Sequence, residues 1–154
     1  MIKIATLSDL DIPADLAAML WDNHTIESLK TEFLETIPKN DSVFFLVFEE
    51  QAPVGFAHCQ LRNDYVEGTE TSPVGYLEGI FIKEDFRSKG YAKKLLHECE
   101  EWAISKGCDE FASNCEFSNE TSRLFHINSE FKEVNKIICF NKKLKNENQN
   151  KLMI

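Results

Sequence analysis

Hydrophobic and polar residues follow one another along this chain in blocks of different period, and each block predicts an element. Ile2 and Ile4 alternate with Lys3 and predict a short edge strand at the start. Ser8 or Asp9 then suits a helix cap, ahead of Leu16, Ala17 and Leu20, which carry the pattern to Trp21. Thr25 opens a second helix, with Ile26, Leu29, Phe33 and Leu34 on one side, Glu27, Lys30, Glu32 and Glu35 on the other, and Pro38 as its limit. Residues 42–49 read as the second strand, and the turn Gln51-Ala52-Pro53 folds it into a hairpin with a third, from Val54 through Cys59 to Leu61 or beyond.

The block that organises the rest follows. Residues 76–82 are aromatic or branched apolar save for Glu78 and Gly79, so an ionisable group sits in an otherwise buried strand, where it needs a reason to be. From Gly90 the period changes: Tyr91, Ala92, Leu95, Leu96, Cys99, Trp102 and Ala103 recur at helical spacing, opposite Lys93, Lys94, His97, Glu98, Glu100 and Glu101. The tight basic loop Arg87-Ser88-Lys89-Gly90 joins strand to helix. Lys106-Gly107 stops the helix, residues 110–115 read as a further strand, and Asn119 starts a short helix through Leu124, Phe125 and Ile127. Residues 131–135 and 136–140 predict two returning strands, and residues 146–154 a polar, frayed tail.

Composition narrows the picture. A length of 154 residues fits a single domain over residues 1–145, and 43% hydrophobic with 28% charged residues is ordinary globular composition. No run of about 18 apolar residues is present to cross a membrane, and the first residues lack the apolar core of a secretory signal, so a cytoplasmic protein is expected. Five cysteines, an odd number with no C-x-x-C pair, read as free thiols rather than a disulfide framework or a zinc site. His24, His58 and His97 have no partner at ligand spacing and read as packing or surface residues. A net charge of -9 argues against nucleic acid and favours a cationic small molecule. Acid is concentrated at Asp64, Glu67, Glu70 and Glu78, in and just after the long loop of residues 63–73.

A helix start carries unpaired N–H groups and the positive end of the macrodipole, and a glycine there lets a ligand approach the backbone, so a phosphate is the natural occupant of the loop before Tyr91. Neither G-x-x-x-x-G-K-[ST] nor G-x-G-x-x-G occurs. The loop instead matches R-x-x-G-x-A through Arg87, Gly90 and Ala92. Asn119, Phe125, His126 and Phe131 fall at the offsets of a second pattern, an asparagine opening a helix that carries an aromatic pair and ends near Gly-Phe. On these two patterns the chain resembles the GNAT superfamily of N-acetyltransferases, whose coenzyme A pyrophosphate loop reads Q/R-x-x-G-x-G/A. More narrowly, residues 65–80 and the run Glu110-Phe111-Ala112-Ser113 look like one subgroup of the aminoglycoside 6'-N-acetyltransferases.

The resemblance implies an α/β fold with a central mixed, mostly antiparallel sheet of six to seven strands flanked by about four helices. It implies acetyl-coenzyme A as donor and no metal. The cofactor would lie along Ile80, Phe81 and Ile82, with its pyrophosphate at Arg87, Ser88, Lys89, Gly90, Tyr91 and Ala92, and with Asn119 at the second pattern. Acyl transfer needs a neutral amine, a polarised carbonyl and a tolerated thiolate, and no protein nucleophile, so direct attack in a ternary complex is expected. Glu78 is the expected general base, or the carboxylate ordering a water that takes the proton; the alternative is a glutamate turned to solvent from a half-exposed strand. His126 stands where many members have tyrosine, and it either donates a proton to the thiolate or packs.

Trp21, Tyr65, Glu67, Glu78 and Asn114 are the expected amine-binding residues, Trp21 being either a packing anchor or a wall of the cleft. Three features depart from the pattern: Glu130 replaces the glycine before Phe131, and Asn114 and Asn135 stand where the resembled enzymes carry acid. Three functions follow. The first is acetylation of the 6'-amine of an aminoglycoside, the second is acetylation of a polyamine or other metabolite amine, and the third is binding of acetyl-coenzyme A or a cation without useful catalysis. A homodimer is entertained, whereas nucleic acid and membrane partners are not expected.

Overall fold

The structure is a computed structural model and describes residues 1–145; the tail expected at 146–154 lies outside the described residues. The elements are β1 (Ile2–Ile4), α1 (Asp11–Leu20), α2 (Ile26–Thr36), β2 (Ser42–Glu49), β3 (Ala52–Arg62), β4 (Val74–Ile82), α3 (Tyr91–Ser105), β5 (Phe111–Ser113) and α4 (Glu120–Asn128). The strands form one sheet in the order β1-β2-β3-β4-β5, antiparallel except for the parallel pair β4 and β5. The mixed sheet and four helices are those expected.

The strand count is not. Five strands are present among the described residues rather than six to seven, because residues 131–140 take no place in a ladder. Their alternation is real, but Val134, Ile137, Ile138 and Phe140 remain exposed, and alternation without an adjacent edge makes no strand. Two starts also shift. Thr6 N–H donates to the Asp9 carboxylate at 2.9 Å around a 3₁₀ turn, Leu7–Asp9, so α1 begins later than a Ser8 or Asp9 cap would give. The β2–β3 turn is made by Glu50 and Gln51, both at positive φ, rather than by Gln51-Ala52-Pro53.

The apolar run of β2 is explained by cover on both faces. Val43, Phe45 and Val47 pack with Leu95, Leu96 and Cys99 of α3, while Phe44 and Leu46 pack with Leu16, Leu29 and Phe33 of α1 and α2. Each such buried side chain stabilises the fold by about 1.5–3 kcal/mol. The capping threonine was legible: Thr25 Oγ1 accepts the Ser28 N–H at 3.1 Å and starts α2.

One irregularity positions the site. In the β3–β4 register His58 faces Gly79 and Cys59 faces Leu77, so Glu78 is an extra residue, a β-bulge in the middle of the sheet. The parallel ladder to β5 ends at the same level, with Leu77 opposite Ser113. Beyond it β4 runs on to Ile82 without a β5 neighbour, and this unpaired strand edge past Leu77 and Ser113 forms a notch in the sheet's hydrogen-bonding pattern.

Candidate active site

The bulge takes Glu78 out of the alternation and into a cavity of about 250 Å³ whose lining includes Trp21, His24, Glu32, His58 and Gln60. Trp21 follows α1 and brings its indole against Gly79 of the bulge. A Cβ on Gly79 would come within 2.7 Å of its indole, so the glycine is required for this contact. The indole also meets Phe56 edge-on at 6.3 Å, so Trp21 is anchor and cavity wall at once. His58 is buried, stacks on Phe44 at 4.0 Å, and has Nε2 2.9 Å from Ser42 Oγ. Burial lowers its pKa to about 4, so the imidazole is neutral at pH 7 and adds no positive charge to a cavity that holds two carboxylates.

Glu78 is not free. Arg62, the last residue of β3, donates from Nε to Oε1 at 3.1 Å and from Nη2 to both Oε1 and Oε2 at 2.9 Å, and its guanidinium lies 3.6 Å from the Tyr76 ring centroid. The base expected from the sequence is therefore held in one orientation by a fork of hydrogen bonds, while remaining on the cavity wall. A proton acceptor so held works best through a water or on an amine that competes with Arg62 for the same oxygens.

The structure does not bring the other expected substrate residues into this cavity. Tyr65 is exposed on the 63–73 loop, and Glu67 accepts a short hydrogen bond from the Asn135 amide. Asn114 lies exposed past the end of β5, near enough to Tyr76 to offset in part the rise in the phenol's pKa that burial causes. The loop itself is tied down by Glu110, whose Oε1 accepts from the N–H groups of Glu70 and Thr71, both at 2.8 Å, and from the Thr71 hydroxyl. These bonds, the Thr71 hydroxyl foremost, hold the Glu110 carboxyl below its usual pKa.

The loop before α3 has the local geometry of a helix terminus open to a ligand. Ser88 and Gly90 both take positive φ, 64° and 84°, and Gly90 is the N-cap of α3. The first backbone bond of the helix runs from Lys94 N–H to the Gly90 carbonyl at 3.2 Å, so the preceding N–H groups open outward. A Cβ on Gly90 would meet nothing within 4 Å, which leaves room for a phosphate at the helix end. Arg87 is partly engaged: its N–H donates to the Glu84 carbonyl at 3.3 Å and its Nε to the Ile82 carbonyl at 2.9 Å. Lys89 Nζ lies 3.2 Å from Glu49, which also accepts the Tyr91 hydroxyl at 2.6 Å. Ile80, Phe81 and Ile82 form the end of β4 that is paired to β3 on one edge and to no strand on the other, beside the notch.

The second pattern meets β5 through His126 and Ser113. Asn119 caps α4 by accepting the Ser122 N–H at 3.1 Å, and this cap is its visible role. Glu130 stands at φ 70° and fulfils the left-handed turn that the expected glycine would make, with Phe131 N–H reaching the His126 carbonyl at 3.0 Å. His126 is fixed at both nitrogens, Nδ1 2.6 Å from the Ser122 carbonyl and Nε2 2.9 Å from Ser113 Oγ. Cys59 and Cys99 are fully buried against each other, and that contact, then burial, drives the Cys99 thiol far above its ordinary pKa; neither is a nucleophile.

Arg62, Glu32, Gln60, Glu49, Glu110 and Ser113 were missed by sequence reasoning. A signal existed for two of them. His58, Gln60 and Arg62 stand at every second position of a strand whose other face is Ala57, Cys59 and Leu61, a polar stripe that belongs to a cavity or a surface. Glu49 and Glu110 act across 40 and 39 residues on the loops they hold, and local spacing carries no trace of such pairs.

The chain belongs to the acetyltransferase (GNAT) family, whose model matches residues 14–128, and it is an acyltransferase on that footing. It is similar to the aminoglycoside N(6')-acetyltransferase type 1 of Serratia marcescens, 34% identical over 145 residues that cover 94% of this chain and 99% of the relative. The enzyme of the same name from Salmonella typhimurium is 33% identical over 134 residues, 87% of this chain and 92% of the relative. Among solved structures it is similar to AAC(6')-Iy in complex with the bisubstrate analog CoA-S-monomethyl-acetylneamine, with TM-score 0.89, 31% identity, and 93% and 97% of the two chains covered. The apo aminoglycoside 6'-N-acetyltransferase AAC(6')-IG of Acinetobacter haemolyticus gives TM-score 0.89 at 32% identity, with 94% and 99% covered.

Proposed function

We propose that the protein moves the acetyl group of acetyl-coenzyme A to the 6'-amine of aminoglycosides, by direct attack in a ternary complex. The carrying observation is the bulged Glu78, which faces an acidic, tryptophan-walled cavity from the same strand that leads into the phosphate-sized loop at Gly90. The relatives' names and the coenzyme A-linked acetylneamine analog bound to AAC(6')-Iy support both substrates.

In this reading the cofactor lies along Ile80, Phe81 and Ile82, with its pyrophosphate on the N–H groups from Ser88 to Ala92 and the charges of Arg87 and Lys89 nearby. Lys89 exchanges Glu49 for phosphate. Glu78 takes the amine proton, directly or through water, while Trp21, Glu32 and Gln60 receive the sugar. Tyr65, Glu67 and Asn114 form an outer rim that reaches the more distant ammonium groups.

A second reading, acetylation of a polyamine or other metabolite amine, is favoured by one observation: the neutral Asn135 adds no negative charge of its own and its amide already occupies an oxygen of Glu67, which leaves fewer carboxylate contacts for an aminoglycoside's ammonium groups. A homodimer in which a second copy covers exposed Ile137, Ile138 and Phe140 accounts for apolar surface that a monomer leaves in water, and light scattering giving one-chain mass would refute it. We also propose one GNAT domain over residues 1–145 and a cytoplasmic location, which fits the use of acetyl-coenzyme A.

Thiol release is the test. With acetyl-coenzyme A, 6'-amino aminoglycosides should be turned over and their 6'-hydroxy counterparts left inert. Turnover confined to polyamines or metabolite amines would retire the antibiotic reading and leave the acetyltransferase.

A further inference from the structure

The expected acid, His126, cannot reach the notch itself, because Ser113 Oγ covers its Nε2 at 2.9 Å. We propose that Ser113 is the catalytic residue that hands a proton to the departing thiolate, with His126 behind it as a positioning residue and proton source. This rests on the acetyl-coenzyme A reading above, which puts the thioester at the notch beside Glu78.

The ring has one usable arrangement. A carbonyl only accepts, so Nδ1, at 2.6 Å from the Ser122 carbonyl, carries hydrogen in every protonation state. Phe125 and Phe131 hold the ring edge-on at 5.8 and 5.0 Å, and among the described residues no carboxylate hydrogen-bonds to it. Ser113 Oγ then has three neighbours, His126 Nε2 at 2.9 Å, the Leu77 carbonyl at 3.3 Å and, more distant at 3.5 Å, the carbonyl of Asn114. Its single proton goes to one of them.

The charge of His126 decides which. Beside neutral imidazole, Nε2 is an acceptor and draws the hydroxyl proton inward, the serine then being idle toward the cleft. Beside imidazolium, Nε2–H donates to Oγ and the hydroxyl proton turns to the Leu77 side. Leu77 and Ser113 are the last pair of the parallel ladder, so that side is the inner end of the notch. The structure thus has a hydroxyl at the inner end of the open strand edge whose direction is set by a fixed histidine.

The proton balance closes. As the amine nitrogen bonds the acetyl carbon, the C–S bond breaks and sulfur leaves with the electron pair. Sulfur takes the Ser113 proton while Oγ takes the Nε2 proton of His126. The amine's surplus proton leaves through Glu78 or its water, and solvent recharges His126, so one proton is lost and one gained per turnover.

The test compares Ser113→Thr with Ser113→Val, two side chains of nearly one shape, alongside His126→Gln. Ser113→Val and His126→Gln should each lower kcat by about 10- to 100-fold, at the low end for acid–base catalysis because a thiolate departs without help more easily than an alkoxide. KM for acetyl-coenzyme A should stay within about twofold, Ser113→Thr should keep most of the activity, and the double variant Ser113→Val/His126→Gln should be no worse than the worse single. The solvent deuterium isotope effect on kcat should shrink in Ser113→Val, which a packing role would not produce. A folded Ser113→Val within about twofold of the unaltered protein overturns the proposal, as does a double variant that loses the product of both single effects. Should Ser113→Val fail to fold, His126→Gln with its isotope effect decides alone. No thiol release by the unaltered protein with any amine would sink the parent reading and this one together.

Discussion

The two sides of the candidate site are built on opposite plans. The donor side is one continuous segment, the end of β4, a loop and the first turn of α3, and its features are local: a left-handed Ser88, a left-handed Gly90 and a helix terminus. The acceptor side is assembled from Trp21 after α1, Glu32 on α2, His58, Gln60 and Arg62 on β3 and the Glu78 bulge, with the 63–73 loop tied down by Glu110 beyond them. A site of the first kind is set by a few consecutive residues and resists drift. One of the second kind can be retuned by a change on any of several elements, which suits a pocket that must discriminate among amines while its donor stays the same.

Glu78 is where the two plans meet, so its replacement gives the largest effect. Glu78→Gln should keep acetyl-coenzyme A binding and lose about 10²–10⁴-fold in kcat. The Arg62 side chain is 42% exposed and would be solvated when its partner loses charge, so the fold should be little affected. KM for the amine must be read separately, since the lost charge also weakens cation binding. Near-full turnover in this variant would mean that another group or bulk water removes the proton, and that Glu78 is an Arg62 partner first.

The same contrast explains what was legible. The R-x-x-G-x-A loop, the Thr25 and Asn119 caps and the hairpin were readable because each depends on residues within a few positions. The bulge was not, since Tyr76-Leu77-Glu78-Gly79 is compatible with a regular strand and only the pairing to Cys59 and His58 reveals the extra residue. Glu78 was singled out by its chemistry, but its guanidinium partner comes from another strand. Tyr65, Glu67 and Asn114 were drawn toward the cavity by resemblance, whereas Tyr65 is exposed, Glu67 meets Asn135 and Asn114 lies near Tyr76. The two returning strands failed because apolar alternation specifies a face and not a neighbour.

The acceptor side should also carry the stronger pH dependence of stability. His58 has its pKa lowered from 6.5 to about 4 by burial, so between those values the unfolded chain binds a proton that the folded chain does not. Stability from this group is complete above 6.5 and is lost as pH falls through about 4, by roughly 3 kcal/mol in all. Urea midpoints measured between pH 7 and 4 should fall more steeply in the parent than in His58→Gln. Parallel curves for the two proteins would show that other groups dominate the acid limb.

On the donor side, Gly90→Val probes the local plan. The position has open space but φ 84°, so the substitution should cost about 1–2 kcal/mol of stability through backbone strain without a clash. A branched side chain over the helix end should raise KM for acetyl-coenzyme A by about tenfold, equivalent to about 1.4 kcal/mol, and leave the amine KM alone. A folded Gly90→Val with unchanged cofactor affinity would remove the phosphate from this loop. A matched rise in both KM values would show that the two sides are not separate.

The smallest effect is the most discriminating, because it asks whether the acceptor side reaches as far as the end of β5. Asn114 lies past Ser113, near the Tyr76 hydroxyl, whose pKa is raised by burial. An aspartate there would accept that hydroxyl's proton in a hydrogen bond and still present a second oxygen to a passing ammonium group. Charge-assisted contacts of this kind are worth about 0.7–2 kcal/mol, so Asn114→Asp should raise kcat/KM for a 6'-amino aminoglycoside by about 3- to 30-fold, chiefly through KM. The gain should shrink as salt is added, since an exposed pair is screened over about 8–10 Å at 0.1–0.15 M. A 6'-hydroxy aminoglycoside should remain inert, which separates better binding from altered chemistry. If Asn114→Asp leaves aminoglycoside turnover undetectable while the unaltered protein acetylates a polyamine readily, the cleft ends at the Glu78 cavity and the rim of Tyr65, Glu67 and Asn114 takes no part in binding.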